Sequence, residues 1–544
     1  MKWPWAKQQG RRMGQISVRG FAAAQVDRLL SGWKYDGGFT PSEVSSHLET
    51  IRARSRQMAK DSPHYKRYLG LIATNIVGEG FALKSTPHDG QLGERRLDEV
   101  AAKIIEYHWW RFCNYRDPVT HQTWFDATGR KTASEMDRMN AKTWARDGEY
   151  FIRIQRTQRN PYGITFRVLR PDWCDHSYNS ADTGRGTLIH CGVEMEIESR
   201  KPVAYWFCTV PQNAYAYNGR GSPLVSIPAS EIIHGFTQED EDQPRGIPWA
   251  HAVLRKLKMV DELDIAELTA ARDEACTVHE YYAPKGDEEA IADLTKEENA
   301  DVARALTQEK EPGQSEILPL GWKKETHTPQ HPNGNHGAFK DGMLKDVAGG
   351  FEVEYSNFAN NWAGVSFSSV RSGTISERDT YIVKQNDMIS QSKSPEYLAW
   401  ISSFLSLSVS GNLPAAKLDK FAEHEFRGRR WMWVDPMRDM KAAEVAVAHG
   451  WKTNTQVAAD IGQDFDDNQE ELKREQVTIA GDNKDSVPAL NGAQITAALE
   501  IMQQYAIGAI GKEASVALLT AAGVPSDAAQ NMVNKQKVEK PNET

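Results

Sequence analysis

The chain has 544 residues, 40% of them hydrophobic and 26% charged, and a net charge of −9. That is the composition of an ordinary folded protein of about three to four compact units, and it excludes a fibrous, broadly disordered or small disulfide-stapled chain. The negative total also argues against a domain that grips phosphate tightly, because such affinity needs a net basic surface.

The charge is unevenly spread. Residues 1–60 hold eleven Lys and Arg against four acids, whereas 261–312 and 464–471 are strongly acidic. Five cysteines, Cys113, Cys174, Cys191, Cys208 and Cys276, stand at no metal-ligand spacing and read as free thiols of a reducing cytoplasm. The first thirty residues show no apolar run before a small-residue cleavage site, so no secretory leader is expected. Sixteen tryptophans fit either core packing or large interfaces.

Residues 1–39 are basic and glycine-punctuated and read as an arm. Thr40-Pro41-Ser42-Glu43 then supplies a capping hydroxyl, a proline at the first helical position and a glutamate at the third. Val44, Leu48, Ile51 and Met58 fall on one face of the predicted helix. Asp61-Ser62-Pro63 restarts a second helix with Tyr65, Leu69, Ile72 and Ile76 on its apolar side, stopped by Gly78 and Gly80. An amphipathic stretch from Leu97 to Phe112 follows.

The period then changes to alternation. Tyr150, Ile152 and Ile154 predict a strand, as do Ile164, Phe166 and Val168. Val193, Met195 and Ile197 are expected to pair with Val203, Tyr205 and Phe207 across residues 199–202. A helix opens at Pro248, with Val253, Leu257, Val260, Leu268, Ala271 and Ala275 along one side and Asp261, Glu262, Glu267 and Asp273 away from it. Residues 284–336 are charged, then rich in Pro, Gly, His and Asn, and read as an exposed insertion. A short helix over 339–351 precedes an uncharged loop from Tyr355 to Ser369, and a long helix from Ser376 to Ser408 is expected to kink at Pro395. The tail, 442–476 and 493–531, is alanine-rich and helical, and the last dozen residues read as disordered.

Catalytic motifs are weak. Gly511-Lys512 is followed by Glu513 where a P-loop needs Ser or Thr, and no HExxH or GxSxG occurs. His327, His331 and His336 share a polar loop without a further ligand type, and Asp466, Asp467, Glu470 and Glu471 read as a solvated helix face. Tyr397–Ala416 has the length of a membrane span, but its five serines, Asn412, Gly411 and Pro414 favour a buried helix end.

Ten short segments, in order, carry a resemblance. They are His47–Met58, Thr74–Gly80, Arg146–Arg153, Gly192–Glu196, Pro202–Trp206, Ile227–His234, Gln243–Trp249, Ser366–Arg371, Val434–Pro436 and Ala459–Asp464. Together they resemble the lambda-type portal family of tailed phages. The resemblance implies an α+β, mainly α fold with an α/β wing at 40–247 after the basic arm at 1–39. A stem helix at 248–283, a clip insertion at 284–337, a second stem helix at 338–352 and a tunnel loop at 353–370 would follow. The kinked helix and wing return would occupy 371–440, a helical crown 441–531 and a disordered tail 532–544.

It further implies a non-enzymatic subunit without cofactor or metal, in a ring of about twelve copies at one capsid vertex of the virion, assembled in the host cytoplasm. Its expected partners are further copies of itself, double-stranded DNA passing non-specifically, the terminase large subunit, a head–tail adaptor and capsid or scaffold proteins, with no membrane. Asn357, Asn360, Asn361, Trp362 and Ser366 would face DNA, and Asp261, Glu262, Glu267 and Asp273 would form an acidic stem face. A neutral or acidic lumen suits a conduit, since a ring of cations would multiply phosphate contacts and stall a sliding duplex. The competing readings are a head-to-tail adaptor or minor capsid protein, and a terminase-like nuclease or ATPase.

Overall fold

Thr40 accepts a hydrogen bond from the Glu43 amide (3.3 Å) and, with Pro41, starts helix α1 (Pro41–Asp61) as the sequence predicts. The buried stripe is Val44, Leu48, Arg52, Ser55 and Met58, so an arginine and a serine continue the apolar face. Pro63 opens α2 (Pro63–Ile72), which runs into a π-helical turn, Ala73–Val77, and stops at Gly78 with φ +59°. The computed structural model describes residues 40–89, 96–209, 223–275, 279–282, 323–326, 335–411, 413–431, 435–463, 465–482, 492–524 and 526–535. These divide into one unit ending at Arg429 and a second beginning at Arg430. The arm expected at 1–39, most of the insertion and residues 536–544 of the tail expected at 532–544 lie outside the described residues, while 532–535 are helical where disorder was expected.

In the first unit, strand β1 (Ala82–Ser85) leads to α3 (Glu99–Asn114), capped by the Asp98 carboxylate, and then to α4 (Ala133–Asp147). The α4 start carries a Thr132/Glu135 capping box, a legible signal that apolar periodicity alone passes over. Next come β2 (Glu149–Arg156) and β3 (Ile164–Leu169), then a four-stranded antiparallel meander of β4 (Thr187–His190), β5 (Val193–Glu196), β6 (Pro202–Cys208) and β7 (Leu224–Pro228). The expected hairpin forms, but Val193 faces Tyr205 and not the Phe207 that a turn centred on residue 200 would set opposite it, a bulge after Glu194 sets Met195 opposite Pro202, and Ile197 falls in the turn. Strand β8 (Ile232–Phe236) returns to pair with β2, giving a second sheet ordered β8-β2-β3.

The centre of that sheet is buried on both faces. Glu149, Tyr150, Phe151 and Ile152 are all inaccessible, which is why simple alternation understates β2. Phe151 packs with Tyr205, Phe207 and Met195 of the meander. On the helical side an aromatic cluster gathers Trp109, Phe112, Phe125, Tyr162, Tyr397 and Trp400, with the Trp109 and Trp400 rings 5.2 Å apart. The core-packing reading of the tryptophans therefore has examples, while Trp110, Trp362 and Trp451 are exposed.

A 3₁₀ turn, Trp249–Ala252, precedes α5 (Leu254–Ala275), whose Val260 is buried while Ile265 and Leu268 are exposed. The strand pair β9 (His279–Tyr282) and β10 (Lys323–Thr326) and then α6 (His336–Gly350) follow. The helices α5 and α6 run antiparallel: Lys256 meets Asp346, Lys340 meets Asp264 (2.7 Å), and a Cβ on Gly350 would lie 2.3 Å from Val253.

The predicted loop after α6 is partly helical. Glu354 caps a short turn, α7 (Tyr355–Ala359), and Ser366 caps α8 (Phe367–Met388), nine residues earlier than expected. A π-helical turn, Ile389–Lys393, joins α8 to α9 (Ser394–Leu405), so the kink is a widened turn that accommodates the missing N–H of Pro395. Strand β11 (His424–Arg427) pairs with β1, which brings this return segment back into the first unit. The unit boundary therefore falls at 429/430, short of the 440/441 break expected from sequence. The second unit holds α10 (Pro436–Ala448), α11 (Asn454–Asp460), α12 (Phe465–Asp482), α13 (Gly492–Ala506), α14 (Lys512–Ala521) and α15 (Ser526–Lys535). Ala498, Tyr505, Leu519, Val524, Ala529 and Val533 pack its last three helices together. No described helix is long and apolar enough to cross a membrane.

Candidate functional site

Four of the ten short segments that carry the family resemblance converge. Glu149, at the head of β2, is wholly buried between Arg52 of α1 (2.6 Å) and Arg245 (Nε to Oε1 2.9 Å), and it accepts from the Gly246 amide (2.9 Å). His234 of β8 lies 3.1 Å from its other oxygen. Arg245 spends its remaining N–H groups on the carbonyls of Pro171, Cys174 and Cys191, and Arg52 on those of Asp147 and Gly246. Burial alone would raise the Glu149 pKa, but Arg245 and Arg52 hold it well below the usual carboxylate range. The backbones cross so closely that a Cβ on Gly148 would come within 2.2 Å of Ile247, and one on Gly246 within 2.1 Å of the Gly148 carbonyl. This knot joins chain segments almost two hundred residues apart and has no open face for a substrate.

A second buried cluster lies under the π-helical turn. Lys393 Nζ reaches Glu396 (2.6 Å) and Asp137 of α4 (3.1 Å) over the ring of Phe125, and Ser392 donates to Glu396 (3.2 Å). Here one ammonium serves two carboxylates. Burial, with Asp137 adding to it, pushes Glu396 up to about 7 against the pull of Lys393.

Of the acidic residues predicted on α5, Asp261 is half-buried against Ser62 (3.4 Å), and burial raises its pKa. Glu262 is exposed and pairs with Lys258, and Glu267 is half-buried. Asp273 lies on α5, but its side chain is outside the described set.

The predicted loop residues separate into two groups. Asn357, inside α7, donates to Glu377 of α8 (2.6 Å), which also accepts from Tyr381 (2.8 Å). Asn360 closes α7 in the left-handed region, φ +54°, and accepts from Arg67. Asn361 accepts from the Ala363 amide (3.1 Å), Trp362 is 47% exposed, and Ser366 is spent on the α8 cap. The non-helical stretch is thus 360–366, shorter than the expected 353–370. Arg67, Glu354, Glu377 and Tyr381, which hold it, carry no sequence signal beyond their helical positions.

Among other candidates, His336 pairs with Asp264 (3.7 Å), while His327 and His331 lie outside the described residues. Asp467, Glu470 and Glu471 stand on α12, where Glu470 pairs with Arg474 (3.6 Å). Among the described residues no group of three His, Cys, Asp or Glu side chains is placed to hold a metal ion.

The sequence pattern of the family described as phage portal protein, lambda family, matches residues 26–385. A probable portal protein of Halomonas phage phiHAP-1 is 29% identical over 467 residues, covering 83% of this chain and 85% of the relative. Portal protein B of Escherichia phage lambda is 20% identical over 466 residues, covering 80% and 85%. Among solved structures, the neck of an empty gene transfer agent particle aligns with TM-score 0.41 at 13% identity, over 75% of this chain and 93% of that one. An HK97 family phage portal protein from Corynebacterium diphtheriae aligns with TM-score 0.30 at 13% identity, over 70% and 94%.

Proposed function

Because this chain belongs to the lambda family of phage portal proteins, we propose that copies of it close into a ring at one capsid vertex, through which double-stranded DNA is packaged and released. The family match, running from before α1 into α8, is the observation that carries the reading. On it, residues 40–247 with the return segment to Arg429 are the wing, and α5 and α6 the stem. The β9–β10 pair lies in the clip region, 360–366 is the tunnel loop, and the second unit is the crown. The ring, of about twelve copies, meets the terminase large subunit during packaging and a head–tail adaptor afterwards, with capsid or scaffold proteins around it.

The chemistry supports a conduit. The two stem helices hold eight acids against six Lys and Arg, and Lys256, Lys340 and Lys258 are paired within the subunit with Asp346, Asp264 and Glu262, which leaves no net cation to hold phosphate. The exposed loop offers Asn361, Trp362 and Gly364, groups that touch a duplex weakly and reversibly. The subunit is structural and does no catalysis.

Purified protein should form closed rings with a central hole by mass photometry and negative-stain imaging, and only monomers and dimers at micromolar concentration would overturn the reading. An enzymatic reading gains support only from ATP hydrolysis or from metal-dependent DNA cleavage that disappears when Asp466, Asp467, Glu470 and Glu471 are replaced together.

A further inference from the structure

Helix α7 is a single turn, Tyr355–Ala359, and a helix this short leaves its last carbonyls without partners inside it. One of them has an unusual donor. Arg67, on α2, places Nε 2.6 Å from the Asn357 carbonyl oxygen and Nη2 3.3 Å from the Asn360 side-chain oxygen. The same guanidinium thus spans the end of the turn and the residue at which the chain leaves it. Asn360 is in the left-handed region, φ +54°, so its two torsions set the direction of everything up to the Ser366 cap.

The rest of the turn is anchored independently. Phe358 is wholly buried, its ring 5.6 Å from that of His64 on α2, and Asn357 is bonded to Glu377 of α8. The Glu354 carboxylate accepts from the Asn357 amide (3.0 Å). These contacts fix where α7 sits, and none of them touches Asn360. Beyond it, Trp362, Ala363 and Gly364 are exposed, and Gly364 has φ +71°.

We infer that Arg67 is a positioning residue for the DNA-facing loop: its fork caps α7 and sets the direction in which residues 361–366 leave the subunit. The inference rests on the proposed reading of those residues as the tunnel loop. A planar guanidinium holds two acceptors at once, whereas a lysine ammonium at the same position is a point donor and serves one. Charge and fork can therefore be separated by substitution.

The test uses assembled rings of the full chain, wild type, Arg67→Lys, Arg67→Gln and Asn360→Gly, with amide hydrogen exchange and in vitro DNA packaging as readouts. Asn360→Gly keeps the left-handed backbone and the Asn357 bond but loses the second acceptor, so it carries the test if Arg67→Gln fails to assemble. Exchange over 361–366 should rise about tenfold in Arg67→Gln and about threefold in Arg67→Lys and Asn360→Gly, with β2 and α4 unchanged. Packaged DNA should fall in the same order. Wild-type behaviour of Arg67→Lys beside a defective Arg67→Gln would overturn the inference, because it would assign the effect to charge meeting phosphate. Unchanged exchange in all three variants, or changed exchange with normal packaging, would overturn it as well. Failure of the underlying reading looks different: wild-type rings would then exchange identically over 361–366 with and without DNA in the channel.

Discussion

Glu149 and Glu396 are both wholly buried carboxylates of the first unit, and their surroundings drive them in opposite directions. Glu149 has two guanidiniums, a backbone amide and a histidine around it, and stays charged. Glu396 shares one lysine with Asp137, and its proton is held far more tightly. Burial is common to both, so the count of cations per carboxylate decides the charge. The first cluster is a fixed lock where four chain segments cross, and the second sets two carboxylates against one ammonium beside the widened turn of the long helix.

Replacing Glu149 should break the comparison hardest. Glu149→Gln leaves Arg52 and Arg245 facing each other without a counter-charge, and the subunit should lose about 3–5 kcal/mol in chemical denaturation. A loss under about 1 kcal/mol would mean that water or relaxation compensates the knot. Lys393→Met comes next: it strands two carboxylates, and about 2–3 kcal/mol should be lost at pH 8. That loss should shrink towards pH 5 as the carboxylates take up protons, so a pH-independent loss would refute the assignment.

Glu396→Gln sharpens the contrast. A carboxylate raised from its ordinary 4.5 to about 7 binds its proton more tightly in the folded chain. Its contribution to stability is fully present below 4.5 and is lost as pH rises to about 7. Glu149 behaves in the opposite sense, since its lowered pKa gives stability that is present above 4.5 and is lost as pH falls through the folded value. Glu396→Gln should therefore flatten the pH dependence of the melting temperature between 5 and 7 and cost less than about 1 kcal/mol at pH 7.5. An unchanged slope would show that Glu396 does not titrate there. The smallest effect is expected at the surface, where Asp346→Asn unpairs Lys256 between α5 and α6. With both partners well exposed, it should cost about 0.5 kcal/mol or less, and vanish in high salt.

How far these features could be read beforehand depends on their range. The start of α1, the stop at Gly78, the central hairpin of the meander and the interruption near Pro395 rest on rules that operate over four to eight residues, and each was legible in the chain, whereas the outer strands β4 and β7 were not. The capping box of α4 was equally local but carries no apolar period. The ordered string of short segments gave the family, without giving a reason for their residue types. That reason is tertiary: Arg52, Glu149, His234 and Arg245 meet as one knot, and Gly148 and Gly246 are small because two backbones cross there.

The candidate loop divides in the same way. Its uncharged composition and its place between two helices are sequence properties, and they located residues 355–369. Which of its asparagines is spent inside the subunit is not, because Asn357 is engaged by Glu377 twenty positions later and by Arg67 almost three hundred positions earlier. Sequence alone determined the family and the elements whose caps, periods and turns act through neighbouring residues, such as α1, α2 and the β2–β3 pair. Tertiary structure alone decided which charges are buried, which carboxylate keeps its proton and which loop atoms remain free, because those depend on partners whose separation along the chain leaves no periodic trace.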